Sequence, residues 1–249
     1  MSKCSMAEAL NKASVYIDRR VLDGSKPSIT LPHAEHILIV ALSAAVVAHQ
    51  ICKDDEFVSR AFICGLLHDI GRYIVDEKAS KYPHTIAGYE RCMKLKISFV
   101  APICLTHAIL DYASHQEYPD YTDAQLDWVN EKMSHITRSF YDDLVMLIDL
   151  HCRGDQVMKI QDRLAKNQQF YHIESPDYCK KYMDLDARFK EKYNVDVYNA
   201  CRFVYANKKA MFKQLAPYCH GLLRYVCGDT SVANQYPPQV RQQLLSYSR

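Results

Sequence analysis

The stretch Ala61-Phe62-Ile63-Cys64-Gly65-Leu66-Leu67-His68-Asp69-Ile70-Gly71-Arg72 constrains this chain more than any other. An apolar helical run ends in an adjacent histidine and aspartate, and a glycine follows almost at once. Burying an imidazole and a carboxylate there costs free energy unless each finds a partner. A divalent metal ion satisfies both. The rest of the chain must then supply further ligands.

The composition permits such a site. At 249 residues the chain can bury a sizeable core, as one large domain or one and a half. Only 7 glycines and 9 prolines suit a mostly helical protein. The net charge of +2 carries no nucleic-acid signature, but it hides an asymmetry. Residues 1–154 hold 16 Lys/Arg against 20 Asp/Glu, and residues 155–249 hold 15 against 9. The 10 cysteines contain no C-x2-C pair, and most sit in apolar helical surroundings. They read as small hydrophobes in a reducing cytosol, so the protein is expected to be cytoplasmic. Met1–Glu8 has no apolar signal core. The longest apolar run, Ile37–Ala48, is shorter than a membrane span, so no membrane partner is expected.

Taken in order, residues 6–20 place Met6, Leu10, Ala13 and Ile17 at helical spacing, and Asp23–Pro27 breaks that helix. Pro32 suits a helix start, and 33–52 form a nearly all-apolar helix central to the fold. Asp54 or Asp55 caps a helix from Phe57 to about Asp69. His84 to Lys94 forms the next. Ser98 caps Phe99–Leu110, and 111–122 form a long polar and aromatic loop, a candidate lid. Thr122 or Asp123 starts a helix to about Phe140. Asp142 or Asp143 starts the apolar run Leu144–His151, with Asp149 among Leu147, Ile148 and Leu150. Helices over 156–169, from Ser175-Pro176-Asp177 onward, over 196–213 and over 216–227 follow. Pro237-Pro238 then precedes a short terminal helix. No strand pattern occurs, so the fold class is all-α.

Six polar residues lie in apolar helical settings: His36, His68, Asp69, His84, His107 and Asp149. In a helical bundle, ligands on facing helices converge in the middle. Four imidazoles and two carboxylates suit one or two divalent transition metals.

This ordered series, H…HD…H…H…D, resembles the HD-domain superfamily of metal-dependent phosphohydrolases over roughly residues 30–155. His36 stands at the first-histidine position, His68-Asp69 is the doublet, and Asp149 fills the last ligand position. His84 heads His-Thr-Ile-Ala-Gly, similar to the family's H-x-x-x-G segment. Together with His107 it resembles the subset with a dinuclear centre. The resemblance implies that Asp69 bridges two metals. His36, His68 and Asp149 would hold one, and His84 and His107 the other. Fe or Mn is the implied metal, with Ni, Co, Zn or Mg as alternatives. Two ions about 3.5–4 Å apart activate water and clamp a phosphate.

The implied activity is hydrolysis of a phosphoester or phosphoanhydride of a nucleotide or other small phosphorylated metabolite, with Asp69 and Arg72 as catalytic residues. Arg72 stands where many relatives have lysine, and its guanidinium grips phosphate but does not act as an acid. The GYP signature of the cyclic-dinucleotide branch is represented only by Tyr118-Pro119. Two alternatives use the same residues: a mixed-valent di-iron oxygenase, and a catalytically silent HD domain for sensing or binding. His33, Asp111 and Arg153 are candidates to support the ligands or touch substrate, Asp111 by orienting an imidazole and Arg153 at the pocket rim. The expected organisation is an N-terminal helix and linker (1–29), the HD metal-binding domain (30–155) and a helical extension (156–249). The extension would form a cap or a homodimer surface.

Overall fold

The computed structural model describes residues 5–22, 31–75, 81–154 and 156–247. The fold is all-α, and the break expected at Asp23–Pro27 lies outside the described residues. Helix α1 (Met6–Leu22) precedes the central helix α2 (Leu31–Ile51), which starts with Pro32 in its first turn, where a missing N–H costs nothing. A helix apolar on every side must be covered on every side. By length and composition α2 could cross a membrane, yet most of it is buried among other helices. Helix α3 (Asp55–Leu67) covers one side, α7 (Phe140–His151) another, and α10 (Val197–Leu215) and α11 (Gly221–Val226) a third.

Two glycines set the geometry of the doublet. A Cβ on Gly65 would lie 2.9 Å from the Ala41 backbone, so the end of α3 packs directly on α2. After α3 the chain turns at His68-Asp69 into a 3-10 turn, Ile70–Tyr73. A Cβ on Gly71 would lie 1.8 Å from the carbonyl oxygen of His84, so the turn seats α4 (His84–Lys94) against it. The start of α3 follows expectation: the Asp54 carboxylate accepts from the Phe57 N–H at 2.8 Å.

The next segments depart from their sequence pattern. Helix α5 covers only Ala101–Thr106, not 99–110, and His107 is its C-cap residue. Two tyrosine hydroxyls, of Tyr118 and Tyr182, donate to the Ala108 carbonyl at 2.7 and 3.2 Å, and the chain leaves the helix there. Helix α6 (Asp123–Ser134) has the Thr122/Gln125 capping box but stops short of Phe140. Beyond it Arg138 gathers the carbonyls of Ile109 and Leu110. Helix α7 begins at Phe140, ahead of the expected Asp142 or Asp143, because the Asp142 carboxylate turns back to accept from the N–H of the N-cap residue Ser139 at 2.7 Å. A two-residue antiparallel pair follows, β1 (Cys152–Arg153) with β2 (Gln156–Val157), where no strand was expected. It delays α8 to Ile160–Tyr171.

Helix α9 (Tyr178–Tyr193) carries Tyr178, Tyr182, Leu185, Phe189 and Tyr193 at helical spacing; the first four are buried and Tyr193 is half-buried. Helix α12 (Pro238–Tyr247) closes the chain. One hydrophobic cluster contains Val40 of α2, Leu147 of α7, Val204 of α10 and Leu223 of α11. The described part of the C-terminal extension, residues 156–247, therefore shares a core with the helices that carry the candidate ligands. A smaller cluster, with Ile86, Leu105, Ile109 and Val129, fills the space beneath the 111–122 loop.

Candidate metal centre

The six residues come from five elements: His36 near the start of α2, His68 and Asp69 after α3, His84 at the first position of α4, His107 at the end of α5 and Asp149 in the last turn of α7. They meet in one cluster, in which His36, His68, Asp69 and His107 are buried and His84 and Asp149 are half-buried. Asp149 Oδ1 lies 2.9 Å from His36 Nε2 and 3.6 Å from His68 Nε2. Asp69 faces two ways. Its Oδ1 is 3.1 Å from His84 Nε2 and 3.4 Å from His107 Nε2. Its Oδ2 is 3.7 Å from His68 Nε2 and 2.9 Å from Arg72 Nε. Two groups with ligand atoms within 4.8 Å of one another result, His36/His68/Asp69 and Asp69/His84/His107, and Asp69 belongs to both.

The histidine tautomers follow from the backbone. His68 Nδ1 donates to the Gly65 carbonyl at 2.7 Å, and His107 Nδ1 to the Ile103 carbonyl at 3.0 Å. In the neutral rings this leaves the Nε2 lone pairs turned toward carboxylates. Lone pairs facing carboxylate oxygens repel unless a cation lies between them. Among the described residues, His68 Nε2 and Asp69 Oδ1 are buried with no hydrogen-bond partner, as expected of atoms set for a metal rather than for each other. The donor set of imidazoles and carboxylates therefore fits divalent transition metals.

Charge balance in the metal-free chain keeps the two carboxylates ionised and favours the protonated ring at His68. Burial pushes the Asp69 carboxyl up, but Arg72, His68 and His84 outweigh it and hold Asp69 well below the usual carboxylate range. Burial likewise opposes ionisation of Asp149, and the close His36 and His68 rings hold it well below that range. For His68 burial works downward, and Asp69 with Asp149 overturns it, so its pKa is raised. Burial lowers His107.

The supporting candidates divide. His33 packs its ring on Tyr73 with centroids 5.3 Å apart, and its Nε2 lies 3.8 Å from Asp69 Oδ2. Burial lowers its pKa to about 3, partly offset by Asp69. Arg72 is bound to Asp69 and sits at the rim with its side chain 38% exposed. Asp111 does not orient an imidazole: it is exposed and pairs with Lys181 at 2.9 Å. The early end of α5 takes it off the helical face that carries His107. Arg153 is exposed on β1, opposite Gln156, and makes no contact with the cluster among the described residues. Sequence patterns did not single out Thr106, whose hydroxyl donates to Asp142 at 2.6 Å and ties the His107 turn to α7. A buried threonine next to a candidate ligand was the available signal. The 111–122 loop is strapped down as a wall. Tyr121 meets Thr85, beside His84, at 2.8 Å, and Lys181 binds Glu117 at 2.7 Å.

Residues 20–99 match the family model of the HDOD domain, an HD-like domain, which supports a likeness to the HD superfamily. The match takes in His36, His68, Asp69, Arg72 and His84 and ends before His107 and Asp149. Neither the curated proteins nor the solved structures returned a match.

Proposed function

We propose that this chain is a metal-dependent phosphohydrolase acting on a phosphoester or phosphoanhydride of a nucleotide or other small phosphorylated metabolite. The observation that carries the reading is the Asp69 carboxylate, shared between two three-residue groups of metal-ligating type. His36, His68, Asp69 and Asp149 would hold one divalent ion, and Asp69, His84 and His107 a second, with iron or manganese the best match. Such ions supply an ionised water near neutral pH and a cationic seat for phosphoryl oxygens. Asp69 stays ionised and holds Arg72 at the rim, where the guanidinium offers a fixed positive charge to an incoming phosphate. The carbonyls of Gly65 and Ile103 keep His68 and His107 in one tautomer and orientation.

The HDOD match favours a second reading, because proteins of that family are often signalling domains: a sensing or binding domain that keeps its ligand set. One experiment separates the two. The full chain, loaded anaerobically with iron(II) or manganese(II), is offered a panel of nucleotides and small phosphate esters. The proposal expects phosphate release that Asp69→Asn abolishes while the fold persists. Metal-loaded protein that binds members of the panel without turning any over supports the sensing domain. Turnover only with oxygen consumption would move the chain to oxygenase chemistry.

A further inference from the structure

Helix α10 carries Arg202, Lys208, Lys209 and Lys213 and no acidic residue. Its buried face is Val197, Ala200, Cys201, Val204 and Phe212. Arg202, Phe203, Ala206, Lys209 and Lys213 are exposed. Lys208 is matched by Glu35 at 2.5 Å, whereas Arg202, Lys209 and Lys213 have no ion pair among the described residues. Arg202 lies over the Tyr198 ring, 5.7 Å from its centroid; cations without an ion pair among the described residues, carried on a core-packed helix, make a surface to which an anion can bind.

Arg202, at one end of that surface, lines a cleft of about 670 Å³ between β2 and α10, together with Gln156, Asn199, Phe203 and Tyr205 among others. The volume is within the range of small-molecule sites. Its side chains divide the recognition work. Phe203 is 55% exposed, a large aromatic face left in water. Tyr205 is backed by the Lys208 ammonium 4.0 Å from its ring centroid. The amides of Gln156 and Asn199 each offer a donor and an acceptor, as the edge of a nucleobase does. Arg202 adds a planar fork that matches phosphate.

We infer that this cleft is a second ligand site and that it takes a nucleoside phosphate, with the base against Phe203 and Tyr205 and the phosphate toward Arg202 and Lys209. The site is separate from the metal cluster but connected to it: Lys208 backs Tyr205 and hydrogen-bonds Glu35, the residue before His36 on α2. An occupant therefore sits one ion pair from the turn that presents His33 and His36, which suits an effector.

The test is hydrogen–deuterium exchange of the full chain with ADP, and with inorganic phosphate alone as a second probe. It is run in chelator and repeated in His68→Ala, so that binding at the metal cluster does not contribute. The inference expects ADP to protect peptides covering 156–157 and 197–206. Arg202→Glu and Tyr205→Ala, both checked for an unchanged thermal melt, should each weaken that protection by about tenfold in ADP concentration. Protection by phosphate alone should be weaker. Absence of protection at millimolar ADP would overturn the inference, as would protection unaffected by Arg202→Glu. Protection of the same peptides that rises with protein concentration and ignores ADP would instead assign the face to a second copy of the chain. None of these outcomes depends on whether the metal cluster is hydrolytic.

Discussion

Nε2 of His36 stands 2.9 Å from Oδ1 of Asp149, joining the early turns of α2 to the last turn of α7. His107, on the far side of Asp69, does not take part in that contact; its Nε2 faces Oδ1 of Asp69. The two halves of the cluster should therefore be separable. Asp149→Ala and His107→Ala are each expected to lose about one ion per chain relative to the parent, measured by elemental analysis after anaerobic purification. Full metal retention in His107→Ala would refute the second position.

Protonation of the metal-free chain gives a signed prediction at His33. Its folded pKa, about 3, lies below the ordinary 6.5. The stability contributed by the neutral ring is present above 6.5 and is lost as pH falls from there toward 3. Between pH 7 and pH 5 this amounts to about 2 kcal/mol. Asp69 and Asp149 are also lowered, so their contribution persists at pH 5 and is lost only in stronger acid. His68, which is raised, runs the other way: its contribution is full below 6.5 and fades as pH rises through its folded value. Urea titrations in chelator should show His33→Gln losing less stability than the parent between pH 7 and pH 5.

Thr106→Val removes the 2.6 Å hydrogen bond to Asp142 and leaves a buried carboxylate short of a donor. The expected cost is about 2 kcal/mol, a fall in Tm of about 4–8 °C, read by thermal denaturation. Thr106→Ser keeps the hydroxyl and should recover most of it.

Gly71→Ala forces a methyl into the His84 carbonyl, 1.8 Å from the ideal Cβ position. The turn and α4 must separate, at a cost of about 3 kcal/mol or more. Soluble Gly71→Ala protein should also bind less metal, because His84 moves away from Asp69. An unchanged melt would contradict the close packing described.

Arg72 tests the phosphate reading apart from metal loading. Arg72→Lys keeps the charge but loses the planar fork. Metal content should stay near the parent value while the inhibition constant of inorganic phosphate rises about tenfold. A drop in metal content with unchanged phosphate affinity would make Arg72 a support for Asp69 alone.

Much of this arrangement was legible in the sequence because charged groups within apolar runs are conspicuous. Asp149 inside Leu144–His151 and His68-Asp69 after Leu66-Leu67 stand out for that reason. Helix starts carried by local chemistry, such as Asp54 and Thr122, were also readable. The losses came where tertiary contacts decide. Tyr118 and Tyr182 take the Ala108 carbonyl and end α5 early, which sends Asp111 to Lys181 instead of a histidine. Asp142 reads as a helix start, yet it closes a capping box with Ser139, a local Ser-x-x-Asp signal, and only its reach across to Thr106 is tertiary. No helical periodicity encodes either event.

The most direct test of the central claim is anomalous diffraction from crystals of the anaerobically purified chain, collected at the absorption edge of the bound metal. The account predicts two peaks, one on each side of the Asp69 carboxylate: one reached by His36, His68 and Asp149, the other by His84 and His107. No peak at Asp69, or a single peak that leaves His84 and His107 without a metal, would contradict it.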